Sequence, residues 1–266
     1  MQNQSPIGIF DSGFGGLSVA RAVRALLPGE DICYAADCGY APWGDRSDEY
    51  INRRVDRIVD FLLEKNVKAL VIACNTATAV TAKRLREAWP FPIIGIEPAV
   101  MPAEKETRSR KVGVLATTKT LSSGKYQLLC DRTAEDLTII NCPCPGLMDC
   151  VEAGEMNTPE TIALLRRYIA PMTAEGVDTL VLGCTHYPFL SEAIARVAGP
   201  DVSLIDPAPA VAKQLERRLR ETGLLNNKKA GGTEAFYATD ANPAREKVLR
   251  TLWSPDALLQ TIPESN

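Results

Sequence analysis

The chain of 266 residues carries 30 Lys and Arg against 33 Asp and Glu, with one histidine, eight cysteines, 45% apolar and 24% charged residues. A net charge of −3 leaves no basic footprint for nucleic acid, no apolar run approaches the roughly 20 residues of a membrane span, and the polar start Met1–Pro6 lacks the basic-then-apolar order of a secretory leader. The eight cysteines therefore read as free thiols of a reducing cytoplasm, and a single histidine without any Cys-x-x-Cys pair argues against a metal site.

Ile7–Phe10 is the first of four short apolar runs, followed by Ile32–Ala35, Ala69–Ala73 and Ile93–Ile96. Short and apolar throughout, they predict strands covered on both faces, as in a parallel sheet. Between the second and third, Ile51, Val55, Ile58, Val59, Leu62 and Leu63 recur at helical spacing within Ser47–Asn66. Ser47 stands where an N-cap belongs, and Asp48 and Glu49 suit the positive first turn. The polar stretch Ala103–Lys111 reads as a solvated helix end and crossover.

The second half then repeats the first. Ile7-Gly-Ile-Phe-Asp11-Ser12 is echoed by Val112-Gly-Val-Leu-Ala116-Thr117, Ala69-Leu-Val-Ile-Ala-Cys74 by Thr179-Leu-Val-Leu-Gly-Cys184, and Glu97-Pro-Ala by Asp206-Pro-Ala. Ile7 and Val112, Cys74 and Cys184, and Glu97 and Asp206 stand 105, 110 and 109 residues apart. Ordered matches at nearly one offset predict an α/β fold of two homologous lobes, each a mostly parallel sheet flanked by helices. The lobes are expected to be related by a pseudo-two-fold axis with the active site between them. The first takes residues 1–97 and 208–266, the second 98–207. The returning segment opens with an amphipathic helix (Val211, Leu215, Leu219), passes a polar turn at 226–233 and ends in a short strand, Ala235–Ala238.

Each lobe puts a cysteine at the C-terminal end of a buried strand, where parallel sheets bind ligands and where the following helix N-terminus offers free N–H groups. One buried cysteine is ordinary packing, whereas Cys74 and Cys184 at equivalent places in a repeat point to function. Two such thiols could form a redox pair, although that chemistry normally uses Cys-x-x-Cys. The pattern better fits removal of a proton on one face of a carbon and delivery on the other, which inverts a stereocentre. Asp11 and Ser12 close the first strand ahead of Gly13-Phe14-Gly15-Gly16, where backbone can approach a ligand closely. Locally Asp11 could equally be a bare strand-end cap. Trp43, in the turn Tyr40-Ala41-Pro42-Trp43-Gly44, is a pocket wall or a packing residue. His186 follows Cys184 by two positions and is a candidate assistant to it. Cys33, Cys38, Cys130, Cys142, Cys144 and Cys150 read as structural.

The runs Ile9-Phe10-Asp11-Ser12-Gly13-Phe14-Gly15-Gly16-Leu17, Ala41-Pro42-Trp43-Gly44, Ala73-Cys74-Asn75-Thr76-Ala77, Val114-Leu115-Ala116-Thr117 and Gly183-Cys184-Thr185-His186-Tyr187-Pro188 resemble those of the bacterial glutamate racemases, in order and over nearly the whole chain. The resemblance implies an isomerase without a cofactor that interconverts L- and D-glutamate and supplies D-glutamate for peptidoglycan. It implies Cys74 as the base toward D-glutamate, assisted by Asp11, and Cys184 as the base toward L-glutamate, assisted by His186. It implies substrate contacts from Asp11, Ser12, Trp43, Gly44, Asn75, Thr76, Thr185 and His186, a further acidic position at Glu152, and a homodimer. The family's usual residue at position 43 is Tyr rather than Trp.

Overall fold

The computed structural model describes residues 3–263, so Met1 and Gln2 of the polar start lie outside the described residues. Among the described residues there are ten strands, in chain order β1 (Ile7–Asp11), β2 (Ile32–Ala36), β3 (Ala69–Ile72), β4 (Ile93–Gly95), β5 (Lys111–Ala116), β6 (Thr138–Pro143), β7 (Thr179–Leu182), β8 (Ser203–Ile205), β9 (Glu234–Ala238) and β10 (Leu259–Thr261). The described residues divide into two compact units, one running to Ile96 and resuming at Ala208, the other Glu97–Pro207.

In the first unit six strands run in the order β10-β9-β2-β1-β3-β4, and every pairing is parallel. β1, β2 and β3 are buried along their whole length, as their unbroken apolar runs predicted. The helix Asp48–Glu64 covers the sheet with Ile51, Val55, Ile58, Val59 and Leu62, and the Ser47 side chain accepts from the backbone N–H of Tyr50 as an N-cap. On returning, the chain lays the helix Ala208–Glu221 against the helix Leu17–Leu26 and adds β9 to the edge of β2. Arg24 fixes that edge, donating to the Glu234 carboxylate and to the carbonyls of Glu30 and Thr233.

The second unit carries β6-β5-β7-β8, again all parallel. This is the same order as β2-β1-β3-β4 in the first. Registers agree too: Ile7 lies beside Ala69 and Phe10 beside Ile72, while Val112 lies beside Thr179 and Leu115 beside Leu182. The sequence repeat is thus a repeat of strand order and register. Three strands escape the apolar-run reading. β6 mixes exposed and half-buried positions, β8 is a half-buried Ser-Leu-Ile, and β10 is a three-residue edge strand, so none presents a continuous apolar run.

At the N-terminal edge of the first sheet, the fully buried Lys68 ammonium lies 2.5 Å from the buried Glu30 carboxylate and donates to the Asn3 carbonyl. Glu30 also accepts from the backbone N–H of Asn226 at 2.7 Å, tying the 226–233 turn to the sheet. Removing one partner of a buried ion pair strands the other charge, at a cost of about 3–5 kcal/mol. Lys68→Met should lose about that much unfolding free energy in urea, and the double variant Glu30→Leu/Lys68→Met should regain part of it. A single variant as stable as the parent chain would show that the pair does not hold this edge.

Candidate active site

In a sheet ordered β2-β1-β3 the connections leave β1 in opposite directions, and the crevice between the C-terminal ends of β1 and β3 is where open α/β sheets bind ligands. Asp11 ends β1 there. Its buried carboxylate accepts from the backbone N–H of Ser12 at 2.7 Å and of Gly16 at 2.6 Å, one per oxygen. Position 16 has no room for a side chain: a Cβ would stand 2.7 Å from Asp11 Cβ and 2.9 Å from Tyr34 Oη. Tyr34 in turn donates to the Gly13 carbonyl at 2.6 Å, holding the glycine turn closed.

Across the crevice, Cys74 follows β3 and caps the helix Asn75–Ala88, its sulfur accepting from the Ala77 N–H at 3.5 Å. A thiol in this place sits in the positive field of a helix N-terminus, an environment that favours the thiolate. Ser12 Oγ lies 3.9 Å from Cys74 Sγ and 3.4 Å from Asp11 Oδ1, so a hydroxyl stands between carboxylate and thiol. Asn75 is buried, and neither its amide nitrogen nor its oxygen has a protein partner. A buried side-chain amide without partners is costly and commonly marks the place of an absent polar ligand. Thr76 is buried next to it. Trp43 packs into the core cluster that includes Phe10, Ile51 and Cys74, so its ring supports the cysteine turn from within rather than forming an open wall. Gly44 follows in a half-buried turn.

The second unit rebuilds this crevice between β5 and β7 with different parts. Gly183 makes the approach possible, since a Cβ there would meet the Leu115 carbonyl oxygen at 2.8 Å, and its N–H donates to that oxygen. Cys184, Thr185 and His186 are all buried. Cys184 Sγ lies 3.6 Å from His186 Nδ1, and His186 Nε2 lies 2.8 Å from Glu152 Oε1, at the end of the helix Leu147–Glu152. Burial works against a charge on this imidazole. The hydrogen bonds to Cys184 and Glu152 outweigh it and hold the His186 pKa well above its ordinary value.

The two cysteine turns differ in one respect from the sequence expectation. Cys74 opens an α-helix directly, whereas Cys184 leads into a 3-10 turn, Tyr187–Leu190, before the helix Ser191–Ala198 begins. Tyr187 N–H donates to the Cys184 carbonyl at 3.0 Å and Phe189 N–H to the His186 carbonyl at 3.1 Å, both three residues back. At the position of Asp11 the second unit has Ala116, so its carboxylate comes from Glu152, a residue with no signal in the local sequence. Among the described residues no group of three or more His, Cys, Asp or Glu is arranged to hold a metal, and no helix is long and apolar enough to cross a membrane.

Residues 17–215 match the Asp/Glu/Hydantoin racemase family. The chain is 52% identical over 240 residues to the glutamate racemase of Ectopseudomonas mendocina, covering 90% of this chain and 91% of that protein. Its fold matches the crystal structure of glutamate racemase isoform RacE1 from Bacillus anthracis with a TM-score of 0.89 and 35% identity, over 98% of both chains. It matches glutamate racemase from Francisella tularensis, crystallised with D-glutamate, with a TM-score of 0.84 and 30% identity, again over 98% of both chains. The chain belongs to the Asp/Glu/hydantoin racemase family and, within it, to the glutamate racemases.

Proposed function

We propose that the chain interconverts L- and D-glutamate with no cofactor, one of Cys74 and Cys184 removing the α-proton while the other delivers its own proton to the opposite face. The observation that carries this reading is that each thiol has its own proton-handling set at the crevice of its own sheet. These are Cys74 with Ser12 and Asp11, and Cys184 with His186 and Glu152. From D-glutamate the Cys74 thiolate takes the α-proton, and the C–H electron pair stays on the substrate. The Cys184 thiol then delivers a proton to the opposite face of the same carbon and is left as the thiolate. From L-glutamate the roles exchange.

The α-proton is weakly acidic, so the charge that develops on the substrate carboxylate needs fixed donors. The partnerless amide of Asn75, the N-terminal turn of the helix Asn75–Ala88, and the hydroxyls of Thr76 and Thr185 supply them in this reading. Ser12 bridges Asp11 to Cys74 and can relay a proton between them. Glu152 orients the His186 ring and balances its charge whenever the imidazole takes the Cys184 proton. With its ring packed in the core, Trp43 contributes through its backbone in this reading, and Gly44 follows it in the same turn. The same reading makes the enzyme a cytoplasmic homodimer supplying D-glutamate for peptidoglycan. The dimer rests on family resemblance, and light scattering at the monomer mass would remove it.

Cys74→Ala and Cys184→Ala should each lower racemisation by about 10³-fold or more. Because the enantiomers are equal in energy, kcat/KM must fall equally in both directions, so the role of each thiol is read from hydrogen exchange instead. In heavy water Cys74→Ala should still exchange the α-proton of L-glutamate, and Cys184→Ala that of D-glutamate. Racemisation that survives either change would sink the proposal, and L-aspartate turned over as fast as L-glutamate would reassign the substrate.

Asn75→Ala should cost on the order of 10²-fold in kcat, the usual loss for one preorganised donor to developing negative charge. An unchanged kcat would remove Asn75 from the site.

His186 gives a pH test of known sign. Its folded pKa lies above its unfolded value, so it stabilises the protein fully below about pH 6.5, and this contribution is lost as pH rises through the folded pKa. The unfolding free energy of the parent chain minus that of His186→Gln should therefore be largest in mild acid and shrink toward alkaline pH. A difference that grows with pH would contradict the His186–Glu152 pairing.

A further inference from the structure

The mechanism above leaves one sulfur cluster unused. Cys142 lies in β6 and Cys144 just beyond it, joined by Pro143. The Cys144 thiol points back at its neighbour, 3.8 Å from Cys142 Sγ and 3.2 Å from the Cys142 carbonyl oxygen. Cys142 is half-buried and Cys144 is buried. The backbone of Cys144 is tied down on both sides: its N–H donates to the Ala116 carbonyl at 3.2 Å, and its carbonyl accepts from Tyr187 Oη at 3.4 Å. The buried sulfur is thus held 3.8 Å from the half-buried one by a constrained backbone, and a bond needs about 2.05 Å.

The two thiols are also electrically unlike. Donation from Cys144 lowers the pKa of Cys142, and the same hydrogen bond, reinforced by burial, raises that of Cys144. Cys33, Cys130, Cys74 and Cys184 are placed less favourably for oxidation. Burial pushes Cys33 up to about 12 and raises Cys130 as well. Cys74 and Cys184 are buried in their crevices. A half-buried thiol with a lowered pKa, beside a buried one with a raised pKa, is the arrangement of an attacking and a resolving cysteine.

We infer that Cys142 and Cys144 form a peroxide-sensitive dithiol that closes to an intramolecular disulfide. The Cys142 thiolate attacks one oxygen of hydrogen peroxide. The O–O bond breaks, hydroxide leaves and takes a proton from solvent as water, and Cys142 becomes a sulfenic acid. Cys144 gives its proton to solvent and attacks the Cys142 sulfur. The S–O bond breaks, the S–S bond forms, and a second water departs. Two thiols are oxidised by two electrons, and one peroxide is reduced to two waters. A dithiol reductant reverses the step by exchange through a mixed disulfide. Tyr187 links the pair to the Cys184 turn, donating from its ring to the Cys144 carbonyl and from its backbone to the Cys184 carbonyl.

The bond can be tested without reference to racemisation. The reduced full chain is treated with graded hydrogen peroxide, its remaining thiols are blocked with N-ethylmaleimide, and the tryptic peptide 133–166 is sequenced by mass spectrometry. Where Cys74 and Cys184 still take the label, Cys142 and Cys144 should refuse it, with the peptide lighter by two hydrogens and Cys150 labelled. Labelling of both Cys142 and Cys144 under those conditions would overturn the inference. So would a sulfinic acid on Cys142 beside a labelled Cys144, or a bond to Cys150. In Cys142→Ser, Cys144 should remain labelled across the same range, and its loss there would show that Cys142 is not its partner.

Discussion

The reversal of strand order at β1 is the constraint from which the first half-site follows. Because β2 and β3 flank β1 in a parallel sheet, the loop after β1 and the loop after β3 open side by side at one edge. A buried carboxylate placed there must have each oxygen satisfied, and the Ser12 and Gly16 N–H groups do so only because the chain turns tightly through glycines. That turn brings Ser12 to Cys74. A side chain at position 16 would push Asp11 and Tyr34 apart and open the turn at its base. The position of the thiol's assistant therefore rests on one backbone position that tolerates no Cβ.

The repeat carries this scaffold into the second unit but not its chemistry. Strand order, register and the place of the cysteine are common to both, and a glycine permits the close approach in each, Gly16 after β1 and Gly183 after β7. Asp11 has become Ala116, however, and the α-helix that opens behind Cys74 is a 3-10 turn behind Cys184. The second thiol therefore has less helix field to draw on and has a buried imidazole instead. Burial lowers the pKa of that imidazole, and the hydrogen bonds to Cys184 and Glu152 outweigh it and hold the pKa above the ordinary value. One backbone plan thus supports two different ways of managing a thiol proton.

What could be read from the sequence follows from the same physics. Strands buried on both faces are apolar at every position, so β1, β2, β3 and β7 stand out from composition alone. β6 and β10 are edges with exposed positions, and an edge strand need not be apolar, so no continuous run marks them. The cysteines and the histidine were legible because they lie on the repeat. Glu152 was not legible from local pattern, since it reaches His186 from 34 residues away on another helix and entered only through family resemblance. The burial of the Trp43 ring depends on the helix Asp48–Glu64 and the Cys74 turn packing around it, which its polar-looking loop does not reveal. Pro188, by contrast, was in plain view and marks the shortened turn behind Cys184.

The choice of sulfur on both sides follows from the symmetry of racemisation. Product and substrate are mirror images, so the enzyme after one turnover differs from the enzyme before it only in which group holds the proton. If acid and base were of different chemical type, one protonation state would be favoured, and the opposite direction would pay that difference at every turnover. Two thiols make the two states nearly equal before their surroundings act. The surroundings here are unlike, a hydroxyl and carboxylate on one side and an imidazole and carboxylate on the other. Each nevertheless sets a carboxylate behind its thiol, with one proton-carrying group between them. In the proposed mechanism that common element serves both resting states, although the residues that build it share no sequence.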